Sequence, residues 1–440
     1  MGRARGHKRK SRREIRTVLV LAALVCVLGA AIVWARGRDP RGLRPPPLSP
    51  ELQARIESPE NAAHVLVQAL YLLPGDNPLP QKYPVPDKPG ELRLFETESG
   101  SIARALDIWA PDDAPEIAAR IEQCRPALDK AREAFDAPYF LFPAQDANVR
   151  RPMLEILVLH FRIACRHAWE IRGEQETALE SLFDGVRVCR LLQQDGTIRF
   201  LTTIQEEERS LWTLLGTYLE QSGDAATLNR AFEGMLRLGE PPQPDYAHMI
   251  DAEWQAYYAE TERIRSEDSS GGFNLRRLLY VRWRTQRLRA FIEHRGEWQE
   301  CVALPYPRLE KTLDAAPVEM AGELKEYDSL GYQLCVARFA AANCTAAYRQ
   351  VLLLALLELH RLDQGQYPET LAEAAAGRLE TVPEDPFTGT AFQYHPATPE
   401  RLLVSPGPGK PPQAYRRPET TWRAEVVKGV VSVERINTKE

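Results

Sequence analysis

The sequence predicts a mainly α protein: an N-terminal transmembrane helix, a body of α-helical hairpins forming a solenoid or a bundle, and a small C-terminal α+β module with a short antiparallel sheet. Three observations carry that prediction. An uncharged apolar run occupies residues 17–35, amphipathic segments at helical spacing follow one another from about residue 99 to 363, and turn residues with alternating aromatics replace that periodicity from Asp385 onward. At 440 residues, with 44% hydrophobic and 27% charged side chains, the chain has the composition of a folded protein with room for two or three domains.

Residues 1–16 form a basic head. They carry eight Lys/Arg against Glu14, a net +7, so the overall charge of −5 leaves −12 for everything that follows. A mildly acidic body is a poor polyelectrolyte partner for nucleic acid, and no nucleic-acid partner is expected. The head reads instead as a topology determinant for the segment next to it, with contact to anionic lipid as a second use. Thr17 to Ala35 is nineteen residues without a charge. At ~1.5 Å per helical residue such a run spans the ~30 Å hydrocarbon core, so the lipid bilayer is the partner expected for residues 17–35. Trp34 falls where an interfacial aromatic belongs, and the eight Lys/Arg before the segment outweigh Arg36, Arg38, Arg41 and Arg44 after it. The N-terminus is therefore expected in the cytoplasm and the body outside it, on a single pass through the inner (cytoplasmic) membrane. A cleaved signal peptide competes, since Val33-Trp34-Ala35 fits a small-residue cleavage rule loosely. The apolar run is longer than the usual ~7–15 residues of such a leader, which favours the anchor.

Residues 36–50 contain Pro40, Pro45, Pro46, Pro47 and Pro50 and predict an extended stalk. The helical body is drawn over 51–330. Ser58-Pro59-Glu60 predicts the start of a helix running to about Leu73, with Ser58 as N-cap and Pro59 at the first position. Six prolines between Pro74 and Pro89 exclude regular helix or central strand there. Between Glu174 and Gln194, Leu179, Leu182, Phe183, Val186 and Cys189 recur at three and four and share one face. The next helix carries Leu201, Ile204, Leu211, Leu215 and Tyr218, and Ser222-Gly223-Asp224 ends it and starts another. Trp169, Gly173, Ala178, Leu182 and Gly185, repeated in part by Gly216, Gly223 and Phe232, resemble a tetratricopeptide-type hairpin. The two turn glycines are 50 residues apart, against the ~34 of a regular array, so the resemblance implies stacked hairpins and no particular ligand. Farther on, six arginines among Tyr280, Trp283 and Leu288 lie between Arg276 and Arg289. They read as a solvated face whose stems cover apolar neighbours, with contact to anionic lipid or a polyanion as the functional alternative.

Residues 331–440 are expected to combine a long core helix with a small antiparallel sheet. Leu352 to Leu362 is apolar nearly all round and ends at Gln364-Gly365, while Arg349 and Glu358 argue against a second membrane span. Tyr367-Pro368 turns into a short helix, Asp385-Pro-Phe-Thr-Gly389 is a turn, and Phe392 and Tyr394 alternate about Gln393. A helix ending in Leu-x-x-Gly-x-Tyr-Pro, then Asp-Pro-Phe, Gly and aromatic-x-Tyr, resembles the C-terminal domain of the major pseudopilin of type II secretion systems over about residues 345–410. The resemblance implies a long helix on a small antiparallel sheet, with strands near 391–395, 401–405 and 424–436. Two departures qualify what it implies. Arg9 and Lys10 stand where that family has its processing site before Glu14, and Ser405 to Lys410 lacks the carboxylates of its calcium loop. The module therefore reads as a reused domain, without a calcium site or a place in a fibre.

The residues that could carry chemistry are scattered. His160 and His167 share a helix face but are seven apart, where a zinc pair uses i,i+4 and needs a third ligand. Glu208 lies on the apolar stripe beside Glu206 and Glu207, where a buried charge requires an ion pair or an inward groove. Of the seven cysteines, Cys26 lies in the apolar segment, and Cys124, Cys165, Cys189, Cys301, Cys335 and Cys344 fit buried core positions at least as well as disulfides. Catalytic, cofactor-binding and metal-ligating residues are accordingly assigned as none. The expectation is a non-catalytic interaction or scaffold protein with envelope proteins as partners, association with secretion machinery being the sharper variant. The alternative is a tethered extracytoplasmic hydrolase whose groove gathers Glu207 or Glu208 with a His or Arg.

Overall fold

The computed structural model describes Val25, Leu28 and Gly29, residues 43–47, 49–73, 114–141, 154–194, 198–266, 275–309, 330–397, 403–405, Gly407, 420–427 and 430–437. The protein is mainly helical, with short antiparallel strand pairs near the C-terminus. In chain order the helices are α1 (Pro50–Glu57), α2 (Ala62–Tyr71), α3 (Ala114–Arg132), α4 (Glu155–Arg166), α5 (Gln175–Gln194), α6 (Ile198–Gln221), α7 (Ala225–Leu238), α8 (Tyr246–Ser266), α9 (Leu275–Glu293), α10 (Arg295–Ala303), α11 (Leu330–Gln364) and α12 (Leu371–Ala375). A π-helical turn, His167–Ile171, continues α4.

The first helices depart from the expected boundaries for a reason the chain supplies twice. Ser49-Pro50-Glu51 and Ser58-Pro59-Glu60 are the same tripeptide. At the first, Ser49 Oγ accepts from the Leu52 N–H (3.1 Å) and Pro50 opens α1. At the second, Ser58 closes α1, and Asn61 caps α2 instead by accepting from the Ala63 N–H (3.1 Å). Asn61 wins because its fully buried amide has partners far along the chain. It accepts from the Leu141 N–H (3.0 Å) and donates to the Leu141 carbonyl (2.7 Å) and the Ile56 carbonyl (3.0 Å). Every hydrogen-bonding position of a buried side chain is thereby filled, which is the condition for burying it cheaply.

From α2 to α6 each described helix packs on the next in the chain, and α11 then lies against α6 and α7. The stripes read from spacing form the interior. Leu179, Leu182, Val186 and Cys189 of α5 and Leu201, Ile204, Leu211, Leu215 and Tyr218 of α6 are all buried. Asp224 caps α7 by accepting from the Ala226 N–H (3.1 Å) and the Thr227 N–H (2.9 Å). Two glycines set close approaches. A Cβ on Gly185 would meet Leu211 at 3.2 Å and Phe161 at 3.3 Å, and one on Gly234 would fall 2.3 Å from the Phe183 ring. Trp169 stacks on Tyr218 with ring centres 4.4 Å apart, and Gly173 takes φ +67° at the turn between α4 and α5.

The 35-residue α11 is the central helix. Its segment Val336–Gln364 is long and apolar enough to cross a bilayer, yet 94% of its apolar window is buried within the protein, so it is a core helix. Gly365, at φ +76°, ends it, its N–H donating to the Arg361 carbonyl (2.9 Å). Four short strands follow: β1 (Glu384–Asp385) pairs with β2 (Thr390–Ala391), and β3 (Gln393–Tyr394) pairs with β4 (Leu403–Val404), all antiparallel. The strand expected near 424–436 is two: β5 (Thr420–Val427) and β6 (Val430–Asn437) form a hairpin closed by the Val427–Val430 pair, with Lys428-Gly429 between them. Lys-Gly is a weaker hairpin signal than Asn-Gly or Asp-Gly, which is why alternation alone ran the two together.

The chain forms two compact units, Met1–Pro46 with Trp254–His294, and Pro47–Glu253 with Arg295–Glu440. Apart from Val25, Leu28 and Gly29, the expected membrane helix over 17–35 lies outside the described residues, as do the basic head 1–16, the Pro-rich stretch from 74 to 90 and most of the stalk.

Candidate functional site

The acidic triplet of α6 is the first candidate. Glu208 is completely buried, and its carboxylate accepts from Arg190 Nε (3.2 Å), Gln193 Nε2 (2.5 Å) and Trp212 Nε1 (3.2 Å). Arg190, one helix away, also donates to the carbonyls of Leu238 and Gly239 at the end of α7 (2.8 Å for Gly239) and lies over the Trp212 ring. Trp212 meets Tyr348 of α11 edge to face, and the Tyr348 hydroxyl donates to the Met235 carbonyl (3.1 Å). One charged pair therefore ties α5, α6, α7 and α11 together. Burial pushes the Tyr348 hydroxyl up to about 12, so it stays a donor across the physiological range. Glu207 and Glu206 are separate pairs, Glu207 with Arg162 (2.8 Å) and Glu206 with Arg209 (3.1 Å). The three carboxylates do not converge, and the one on the stripe is sealed from solvent.

A second cluster surrounds the C-terminal motif. Glu358, buried on α11, accepts from the Tyr367 hydroxyl (2.6 Å) and from Arg361 Nε (2.7 Å). The Tyr394 hydroxyl donates to the Pro368 carbonyl (2.7 Å). Asp385, fully buried, accepts from the Phe387 N–H (3.0 Å) and from Ser405 Oγ (2.9 Å). Burial raises its carboxyl above the ordinary range, against the lowering pull of the bonds from Phe387 and Ser405. Phe387 enters an aromatic group with Tyr306 and Phe339. Arg349 clamps this module to the end of α7, binding Glu240 through two nitrogens (2.7 and 2.8 Å) and the Glu384 carbonyl (2.6 Å). The motif's turn, its aromatics and its polar groups thus fasten the strands to α11.

His160, His167 and the described thiols are interior. His160 is buried with Nδ1 2.7 Å from the Ile156 carbonyl. His167 is buried at the end of α4, where desolvation and then Arg172 lower its pKa. Cys124, Cys165, Cys189 and Cys344 are buried free thiols, and desolvation raises the pKa of the last three, which leaves them poor nucleophiles. The side chains of Cys26, Cys301 and Cys335 lie outside the described residues. Among the described residues no three His, Cys, Asp or Glu side chains converge as metal ligands would.

The third candidate is a surface. On α9, Thr285 and Leu288 are buried while Tyr280 and Trp283 are 44% and 40% exposed and stack on one another at 5.7 Å. Arg284 lies 4.0 Å over the Tyr257 ring of α8 and donates to Thr261 Oγ1 (3.2 Å), joining the two helices. Sequence reasoning singled out this stretch and the Glu208 stripe. It missed Arg190 and Asp184, and took Arg349 only as a charge against a membrane span. Asp184, buried between Arg132 (2.7 Å) and Arg187 (2.8 Å), lies off the apolar stripe of α5, so spacing gave no sign of it. Comparison with protein-family models, curated proteins and solved structures finds no match to the chain.

Proposed function

We propose that the protein is a membrane-anchored, non-catalytic scaffold. In this reading residues 17–35 hold it in the inner membrane with the basic head in the cytoplasm, and the stacked helical hairpins with their pseudopilin-like C-terminal module present surfaces to envelope proteins outside. The observation that carries it is the commitment of the buried ionisable groups to the fold: Glu208 to Arg190, Asp184 to Arg132 and Arg187, Glu358 to Arg361 and Tyr367, Asp385 to Ser405. Glu208 and Asp184 join helices, Glu358 holds the turn after α11 and Asp385 fastens a strand, and each carboxylate oxygen accepts from the chain itself. The hydrolase alternative needs Glu207 or Glu208 in an open groove; complete burial speaks against Glu208, and Glu207, half-buried, is taken up by Arg162 (2.8 Å).

Support for the tether comes from Val25 and Leu28, which are helical and 65% and 41% exposed, apolar side chains on a surface that water does not favour. Serial packing from α2 to α6 supports hairpins that stack. A role beside secretion machinery is the sharper form of the proposal and rests on the likeness of the C-terminal motif, a fold-level argument. Chemical crosslinking of the anchored chain in intact cells, followed by purification, tests the scaffold. Reproducible recovery of envelope proteins that depends on the body is expected; recovery of none would count decisively against it.

A further inference from the structure

We propose that the α9 face carrying Tyr280 and Trp283 is a second membrane contact, a surface that lies on the anionic lipid headgroups next to the anchor. The inference rests on the anchored reading of residues 17–35 and adds a site to it. Its first support is composition. Six arginines and no acidic residue fall between Arg276 and Arg289, and the helix spacing of α9 puts positions 276, 280, 283 and 287 on one stripe, since i, i+4, i+7 and i+11 recur on the same side. Arginine with Tyr and Trp is the set that suits a headgroup layer. The rings are apolar with a polar tip, and the guanidinium recognises phosphate with several donors.

The second support is exposure against the burial pattern. Thr285 and Leu288 are almost completely buried, so α9 has an inward face, and the two largest aromatics in the segment are on the outside, stacked together. Two stacked exposed aromatics cost solvation free energy in water unless something covers them.

The third is placement within one compact unit. Trp254 Nε1 donates to the Leu43 carbonyl (2.9 Å), so α8 is bonded to the chain eight residues beyond Ala35. Eight residues reach at most ~29 Å when fully extended. Tyr257, one helical turn along α8 from Trp254, holds Arg284 at 4.0 Å, and Arg284 adjoins Trp283 in sequence and also lies over the Tyr280 ring at 5.8 Å. The route from the end of the apolar segment to the exposed pair is thus at most eight residues of chain followed by direct contacts, which limits how far the basic–aromatic face can lie from the bilayer surface. Its charge complements a leaflet containing anionic lipid, and the tether supplies a high effective concentration there without any strong affinity of its own.

The test uses the full chain reconstituted in vesicles carrying a trace of photoreactive lipid, either in pure phosphatidylcholine or with one third phosphatidylglycerol, with crosslinked peptides mapped by mass spectrometry. Labelling of α9 peptides is expected in the phosphatidylglycerol vesicles, falling about fivefold in pure phosphatidylcholine and in the exposed double variant Tyr280→Ser with Trp283→Ser. Labelling of residues 17–35 should stay constant throughout. Label on 17–35 with none on α9, or α9 label indifferent to lipid charge, overturns the second contact while leaving the anchor standing. Absence of label from 17–35 overturns the anchor itself and the proposal with it. Capture of heparin by the chain without lipid label on α9 would assign the face to a soluble polyanion and equally overturn it.

Discussion

The completely buried Glu208 is tolerable only because Arg190, Gln193 and Trp212 face it, and removing one partner exposes how much the fold leans on the pair. Arg190→Met leaves an uncompensated buried carboxylate and two orphaned carbonyls, at Leu238 and Gly239. A loss of about 3 kcal/mol is expected, read from chemical denaturation in detergent. Adding Glu208→Leu should recover part of it, because the charge goes but the carbonyls stay unpaired. Asp224 gives a prediction in pH. The hydroxyl and N–H of Thr227 and the N–H of Ala226 hold its carboxyl below the ordinary range. A depressed folded-state pKa means the unfolded chain binds more protons, so stability rises with pH. The contribution is full above the unfolded value of ~3.9 and is lost as pH falls through the folded one. The stability difference between wild type and Asp224→Asn should therefore shrink as pH is lowered from neutral toward that range; a difference that is constant with pH would contradict the cap's charge. The need of Glu208 for a partner was legible in the sequence, since a charge on an apolar stripe must be neutralised. The identity of the partner was not, because Arg190 sits on another helix and only packing brings the two together.

At the scale of elements, periodicity carried the reading furthest. The stripes of α5 and α6 and the cap at Asp224 lie where spacing puts them, because an amphipathic helix has one way to hide its apolar face. The cap of α2 was not legible: two identical Ser-Pro-Glu tripeptides behave differently, and the difference is made by Leu141, eighty residues from Asn61. The same limit explains the close contact of α5 and α7. Gly234 is an unremarkable glycine in sequence, yet the Phe183 ring occupies the place of its Cβ. Gly234→Ala should destabilise by about 1–3 kcal/mol as the ring is displaced, despite the better helix propensity of alanine. Thermal unfolding in detergent reads the outcome, and an unchanged or raised midpoint would mean that the two helices are not held this close. In the C-terminal module, the turn at Asp385 and the alternation about Gln393 are local signals and were readable. The bonds from Tyr367 to Glu358 and from Ser405 to Asp385 explain why those residue types are there at all.

For the whole molecule, composition marks two segments as apolar enough for a bilayer, and the structure places one of them, α11, in the core. α11 contains Arg338, Arg349 and Glu358, and its apolar window is covered by the protein. Residues 17–35 contain no charge and follow a basic head. On the proposed reading lipid covers residues 17–35, whereas other helices cover α11. The account stands or falls on the first of these. Carbonate extraction of membranes from cells producing the full chain, with the N-terminal residue identified by sequencing, measures it directly. The account predicts that the protein stays in the membrane pellet with residues 1–35 intact; a carbonate-soluble chain beginning near Arg36 would contradict it.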